Sequence, residues 1–231
     1  TRFGLKSYGN HDELSLSNKL GRVSYDERVK YVRPQYVIDN PAHGAYGRFY
    51  GAGETWLLQK AMIDQYHALG IKVIGYIAGG YEGDGPEGGE PRSFSDLEFN
   101  KQTIREMASL DGVDGVFIDE VSEYPELDPR RANYLKELPS LAKSYGLIVW
   151  GNTGMDQFSD WFFTQGGFDF MQSSESWVGQ DLSPIQRTYG SRISVTGFKE
   201  SYTAQDALRL TLDAMDKGLA FAYINDREYT D

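Results

Sequence analysis

Gly112-Val113-Asp114-Gly115-Val116-Phe117-Ile118-Asp119-Glu120-Val121-Ser122-Glu123-Tyr124 is the stretch that decides how this chain is read. Val113–Ile118 is a short apolar run interrupted by one Asp and one Gly, the composition of a strand buried on both faces, as in parallel sheets covered by helices. The run ends in two adjacent carboxylates, Asp119 and Glu120. A buried strand that delivers acids at its carboxyl end suggests a site there.

Similar runs lie on both sides of it. Toward the amino terminus, Phe3–Tyr8, Gln35–Asn40 and Ile71–Ile77 read as strands, and toward the carboxyl terminus Leu147–Trp150, Phe168–Gln172, Arg192–Thr196 and Leu219–Ile224 do. Helical signals separate them. Tyr25–Val32 is short, whereas Trp56–Leu69 sets Leu58, Met62, Tyr66 and Leu69 at helical spacing before Gly70. Ser95 with Glu98 forms a capping box, Asp128-Pro129 supplies an N-cap with Pro at the first helical position, and Thr203 with Asp206 repeats the capping pattern. Met155–Gln165 is expected to be an aromatic-rich helix. Strand and helix therefore alternate about eight times in 231 residues, near the ~250 typical of a (β/α)8 TIM barrel. That α/β barrel, as one domain over residues 1–231, is the predicted fold. A doubly wound sheet also alternates, but it usually carries a glycine-rich phosphate turn after its first strand, and none follows Phe3–Tyr8 here, nor does a P-loop pattern occur.

Composition removes several function classes. A net charge of -11 and a pI near 4.8 argue against nucleic acid as a partner, since binding a polyphosphate rests on clustered Lys and Arg. The absence of Cys excludes disulfides and thiolate chemistry. With only His11, His43 and His67, a His-rich catalytic zinc site is disfavoured. There is no G-x-S-x-G nucleophile elbow, and no apolar run approaches the ~18–20 residues needed for a membrane span.

In a barrel, residues just past the strand carboxyl ends share one rim, where active sites sit. Here they are Asn40, Tyr81, Glu82, Asp119, Glu120, Asn152, Glu175, Trp177, Lys199, Glu200 and Asp226. Glycosidic cleavage needs one acid to protonate the leaving oxygen, a second carboxylate to attack or to activate water, and aromatic faces for sugar rings. This rim offers all three. Asp119, Glu175 and Glu120 are the catalytic candidates, with Asn40, Tyr76, Tyr81, Asn152, Trp177 and Asp226 for substrate contact. Neighbouring strand residues face opposite ways, so Asp119 and Glu120 cannot both point inward while the strand continues, and Asp119 is favoured. A plainer reading makes the acids rim ion pairs, and Trp150 and Trp177 packing residues.

Val37-Ile38-Asp39-Asn40-Pro41, Val73-Ile74-Gly75-Tyr76 and Val113–Ser122 together resemble the spherulin-4-like glycoside hydrolases, whose related barrels cleave α-1,4-linked galactosamine or N-acetylgalactosamine polymers. The resemblance implies an endo-acting, two-carboxylate enzyme without a cofactor, with Asp119 as nucleophile or base, Glu175 as general acid/base and Glu120 as a supporting acid. A monomer working outside the cell or at its surface is expected, and the start at Thr1 rather than Met leads one to expect that a leader or upstream region has been removed. A partly deacetylated polymer is cationic, so an acidic groove would attract it. Two other readings stay open: a non-catalytic polysaccharide-binding or matrix protein, and a Mg-dependent barrel enzyme with Asp119, Glu120 and Glu175 around a hard cation.

Overall fold

The computed structural model describes residues 4–8, 34–40, 54–79, 97–199 and 202–225. Among them are eight strands: β1 (Gly4–Tyr8), β2 (Tyr36–Asn40), β3 (Lys72–Ala78), β4 (Gly115–Asp119), β5 (Ile148–Asn152), β6 (Phe170–Ser174), β7 (Ile193–Phe198) and β8 (Phe221–Asn225). All are parallel, and each pairs with the next in sequence order. β1 and β8 also lie in contact. The helices are α1 (Glu54–Ala68), α2 (Leu97–Glu106), α3 (Pro129–Ser144), α4 (Trp161–Thr164), α5 (Pro184–Tyr189) and α6 (Ala204–Asp216). The eight strands match those expected from sequence, with ends displaced by two residues at most, mainly toward the carboxyl side. Polar residues such as Asp119, Asn152 and Ser174 continue the ladder past the point where the apolar pattern stops.

The period-2 alternation of a strand sorts side chains into two layers. Ile74, Tyr76, Phe117, Trp150 and Phe221 pack together in one cluster inside the sheet's curve. Val73, Ile77, Val116, Ile118 and Val149, one residue out of phase, join Ile63, Ile104, Leu138 and Leu210 of the helices in the other. The inner layer is mainly aromatic. Trp150 sits with its ring centroid 4.8 Å from Phe221 and 5.2 Å from Phe170, and Tyr36 meets Phe221 edge-on at 5.4 Å. Fully burying such a side chain contributes roughly 1.5–3 kcal/mol, so this layer forms a firm floor under the carboxyl ends of the strands.

Helix starts follow the sequence where caps are strong. Asp128 accepts from the Arg130 amide with Pro129 at the first position, and Thr203 and Asp206 form a complete capping box. Gly70, Gly146 and Gly218 all take positive φ where helices end. The Tyr25–Val32 helix and the Ser95 cap lie outside the described residues. Met155–Gln165 is a correction, because only Trp161–Thr164 of it is helical. Its backbone bonds elsewhere: the Ser159 amide donates to the Glu123 carbonyl at 2.9 Å, and the Asp156 carbonyl accepts from the Ser183 hydroxyl at 2.6 Å. Conversely, α5 was not expected, although Ser183-Pro184 with Gln186 is a full capping box. On the outer surface Lys101 ties α2 to α3 through Glu137. That ammonium, by its hydrogen bond, holds the Glu137 carboxyl below its usual range, and Glu137 in turn raises Lys101.

Candidate active site

Asp119 is the last residue of β4 and lies in phase with the inward Phe117, so strand alternation turns its carboxylate to the inner side. It is 9% exposed. Three donors fix it. The Tyr76 hydroxyl, from the inward face of β3, donates to Oδ2 at 2.8 Å, Asn152 Nδ2 donates to Oδ1 at 2.6 Å, and the Glu120 amide donates to Oδ1 at 2.9 Å. Behind it the Gly79 amide donates to the Asp119 carbonyl at 2.9 Å, an approach so close that a Cβ on residue 79 would stand 2.7 Å from that oxygen. Glycine at 79 therefore lets the exits of β3 and β4 meet.

Asn152, the last residue of β5, joins Asp119 to Glu175. Its Nδ2 also donates to Glu175 Oε1 at 2.8 Å, while its Oδ1 accepts from the Gly154 amide at 2.8 Å. The Asp119 and Glu175 oxygens that share this nitrogen are thus at most 5.4 Å apart, the sum of the 2.6 Å and 2.8 Å bonds. A second donor, Gln172 Nε2, reaches Glu175 Oε1 at 3.1 Å. Glu175 faces this group because β6 is irregular. Gln172 pairs with Ser194 and Ser174 with Val195, so Ser173 is an extra residue in the ladder. In a regular ladder Glu175, three residues after the inward Gln172, would fall on the opposite face; because Ser173 and Ser174 together take one step of the partner strand, the phase is restored. Gly154, just after β5, lies beside the Glu175 carboxyl, and its φ of 66° is what favours glycine there.

Of the sequence candidates, the structure therefore brings Asp119, Glu175, Asn152 and Tyr76 into one hydrogen-bonded group. Glu120 meets this group through its backbone. At φ 57° its backbone is left-handed, and its side chain is exposed. What it presents to Asp119 is its amide, not its carboxylate. Trp177 is a correction as a sugar platform: it is 0% exposed and belongs to the outer cluster with Leu210 and Ala214, with Lys217 Nζ 5.2 Å from its ring centroid. Strand β6 has ended by residue 177, and the chain turns the indole down onto α6. Asn40 ends β2, with only its backbone described. Tyr81 and Asp226 lie outside the described residues, as do Glu82 and Glu200. Gln172 was missed, although a long polar side chain closing the apolar Phe168–Gln172 run was a usable signal. Tyr124, Met155 and Val178, on the loops after β4, β5 and β6, are exposed and offer apolar surface at the rim.

The group can do acid–base and nucleophilic work. Two carboxylates, one at the end of β4 and one just past β6, face each other across one amide, each with oxygen lone pairs directed by protein donors. Gln172, which donates to Glu175, also lines a pocket with Tyr36, Trp150, Ser194, Thr196 and Tyr223.

No protein-family model and no curated protein sequence matches the chain. Solved structures do. The D-psicose 3-epimerase of Clostridium cellulolyticum H10 is 13% identical with a TM-score of 0.59, over 97% of this chain and 84% of that one. An L-ribulose 3-epimerase is 17% identical with a TM-score of 0.56, over 97% and 80%. A GH18 chitinase from Pseudoalteromonas aurantia is 11% identical with a TM-score of 0.56, over 98% and 94%. At these identities the likeness establishes a shared fold, and shared folds carry unrelated chemistries.

Proposed function

We propose that the eight strands close into a full (β/α)8 barrel and that the chain is a glycoside hydrolase, with Asp119 as nucleophile and Glu175 as general acid/base. The observation that carries this reading is the Asp119–Asn152–Glu175 bridge. Retaining glycosidases hold their two carboxyl groups roughly 5–5.5 Å apart, and inverting ones roughly 6.5–9.5 Å to admit a water. With their nearest oxygens at most 5.4 Å apart across one nitrogen, the pair leaves little room for a water between those atoms, which favours the retaining arrangement. Asp119, with three donors on its two oxygens, is set as the attacking group. Glu175, on a loop and half-buried, is the one with access to a leaving oxygen and then to water. Tyr76 and Asn152 orient the nucleophile, and Glu120 contributes its amide.

Sequence resemblance narrows the substrate to an α-1,4-linked galactosamine or N-acetylgalactosamine polymer, cleaved internally by an extracellular or surface monomer without a cofactor. The net charge of -11 supports a cationic, partly deacetylated polymer, with attraction that weakens as salt rises. A Mg-dependent reading is less well supported, because Asn152 places an N–H donor between the two carboxylates, where a cation would be repelled. The test is incubation with that polymer, following reducing-end release and the first-formed anomer by NMR. Initial release of the α-anomer is expected. Release of the β-anomer would overturn the retaining assignment, and release of nothing would leave a binding protein.

A further inference from the structure

Glu175 keeps its inward side only if something holds Ser173 bulged out of the β6 ladder. Gln186 on α5 does so. It is 1% exposed, and its Nε2 donates to the hydroxyl of Ser173, the bulged residue, at 2.9 Å. The same nitrogen reaches Asp156 Oδ1 at 3.4 Å, and Oε1 accepts from the Ser183 amide at 2.8 Å. The Ser173 hydroxyl passes the contact to the Ser194 carbonyl on β7 at 3.4 Å. Ser183, which caps α5, donates its hydroxyl to the Asp156 carbonyl at 2.6 Å. One buried amide thus clamps the β6 bulge, the start of α5 and the loop after β5. Those segments bracket Glu175, with Ser173 two residues before it and Gly154 against its carboxyl.

We infer that Gln186 is a positioning residue that sets the reach of Glu175 by fixing the Ser173 bulge. This rests on the glycosidase reading above. Its consequence is specific to proton transfer, because a misplaced acid slows cleavage only where the leaving group needs a proton. A displacement near 1 Å costs on the order of 100-fold, within the 10²–10⁴-fold that acid–base catalysis supplies.

The experiment compares kcat/KM on the α-1,4-galactosamine polymer with kcat/KM on the 2,4-dinitrophenyl glycoside of an oligosaccharide from it, whose leaving group departs unprotonated. Gln186→Leu should lower the polymer value about 100-fold and the aryl value less than about 3-fold. Ser173→Ala, which leaves the α5 capping box intact, should shift the polymer value the same way by about 10-fold, so the test survives a poorly folding Gln186 variant. Equal losses on both substrates, or losses on neither, overturn the assignment. A wild-type protein inactive on both overturns the glycosidase reading and this inference with it.

Discussion

Replacing Asn152 by Leu keeps roughly the same shape and removes the donor that stands between Asp119 and Glu175. Asp119 would keep the Tyr76 hydroxyl and the Glu120 amide, and Glu175 would keep Gln172. Each carboxylate loses one bond, and the Gly154 amide loses its acceptor. A hydrogen bond to a charged group is worth about 1.5–3 kcal/mol net. Because Glu175 is half-buried, water recovers much of this in the resting protein, and the stability loss should be about 1.5–3 kcal/mol, or roughly 3–12 °C in Tm. Catalysis does not recover, since the pair must hold its spacing as charge develops. Losing one such preorganised donor typically costs about 10²–10³ in kcat. Reducing-end release from the polymer, with kcat and KM separated, is the assay, and KM should change little. Asn152→Asp puts a third carboxylate in the gap and should be the least active and least stable variant. Wild-type kcat in either variant would refute the bridging role.

Glu120→Gly should keep activity within about twofold and gain about 0.5–1 kcal/mol in urea unfolding, since a left-handed non-glycine residue costs about 1–2 kcal/mol and glycine's entropy returns part of it. Glu120→Pro, which cannot reach φ 57° and lacks the amide that Asp119 accepts from, should lose activity about 100-fold or more by the same assay. At the α2–α3 contact, the Glu137 carboxyl is held low by its hydrogen bond from Lys101. Its contribution is therefore present above the ordinary carboxyl range and lost as pH falls through the lowered value. Wild type should exceed Glu137→Gln by about 0.2–1 kcal/mol at pH 7, and urea unfolding at roughly pH 3 should show that gap closing.

The strand order was legible because buried parallel strands are apolar on both faces, so Val113–Ile118 and its counterparts stand out however the loops run. Asp119 was legible for the same reason: alternation from Phe117 fixes its side, and it forced Glu120 to differ. Glu175 could be named but not oriented, since a β-bulge adds a residue without any compositional mark. Trp177 misled because a tryptophan past a strand end looks alike whether it meets solvent or folds back onto a helix. The Met155–Gln165 helix failed for a related reason. Its apolar spacing is real, yet Asp156 and Ser159 spend their backbone groups on neighbouring loops, which sequence periodicity does not encode.

The most direct test is polymer hydrolysis by Asp119→Asn and Glu175→Gln, each checked for a wild-type circular dichroism spectrum. Both should lose at least about 10³-fold in kcat/KM on the polymer while still folding. Full hydrolysis by both variants would contradict the assignment of the Asp119–Glu175 pair as the catalytic carboxylates.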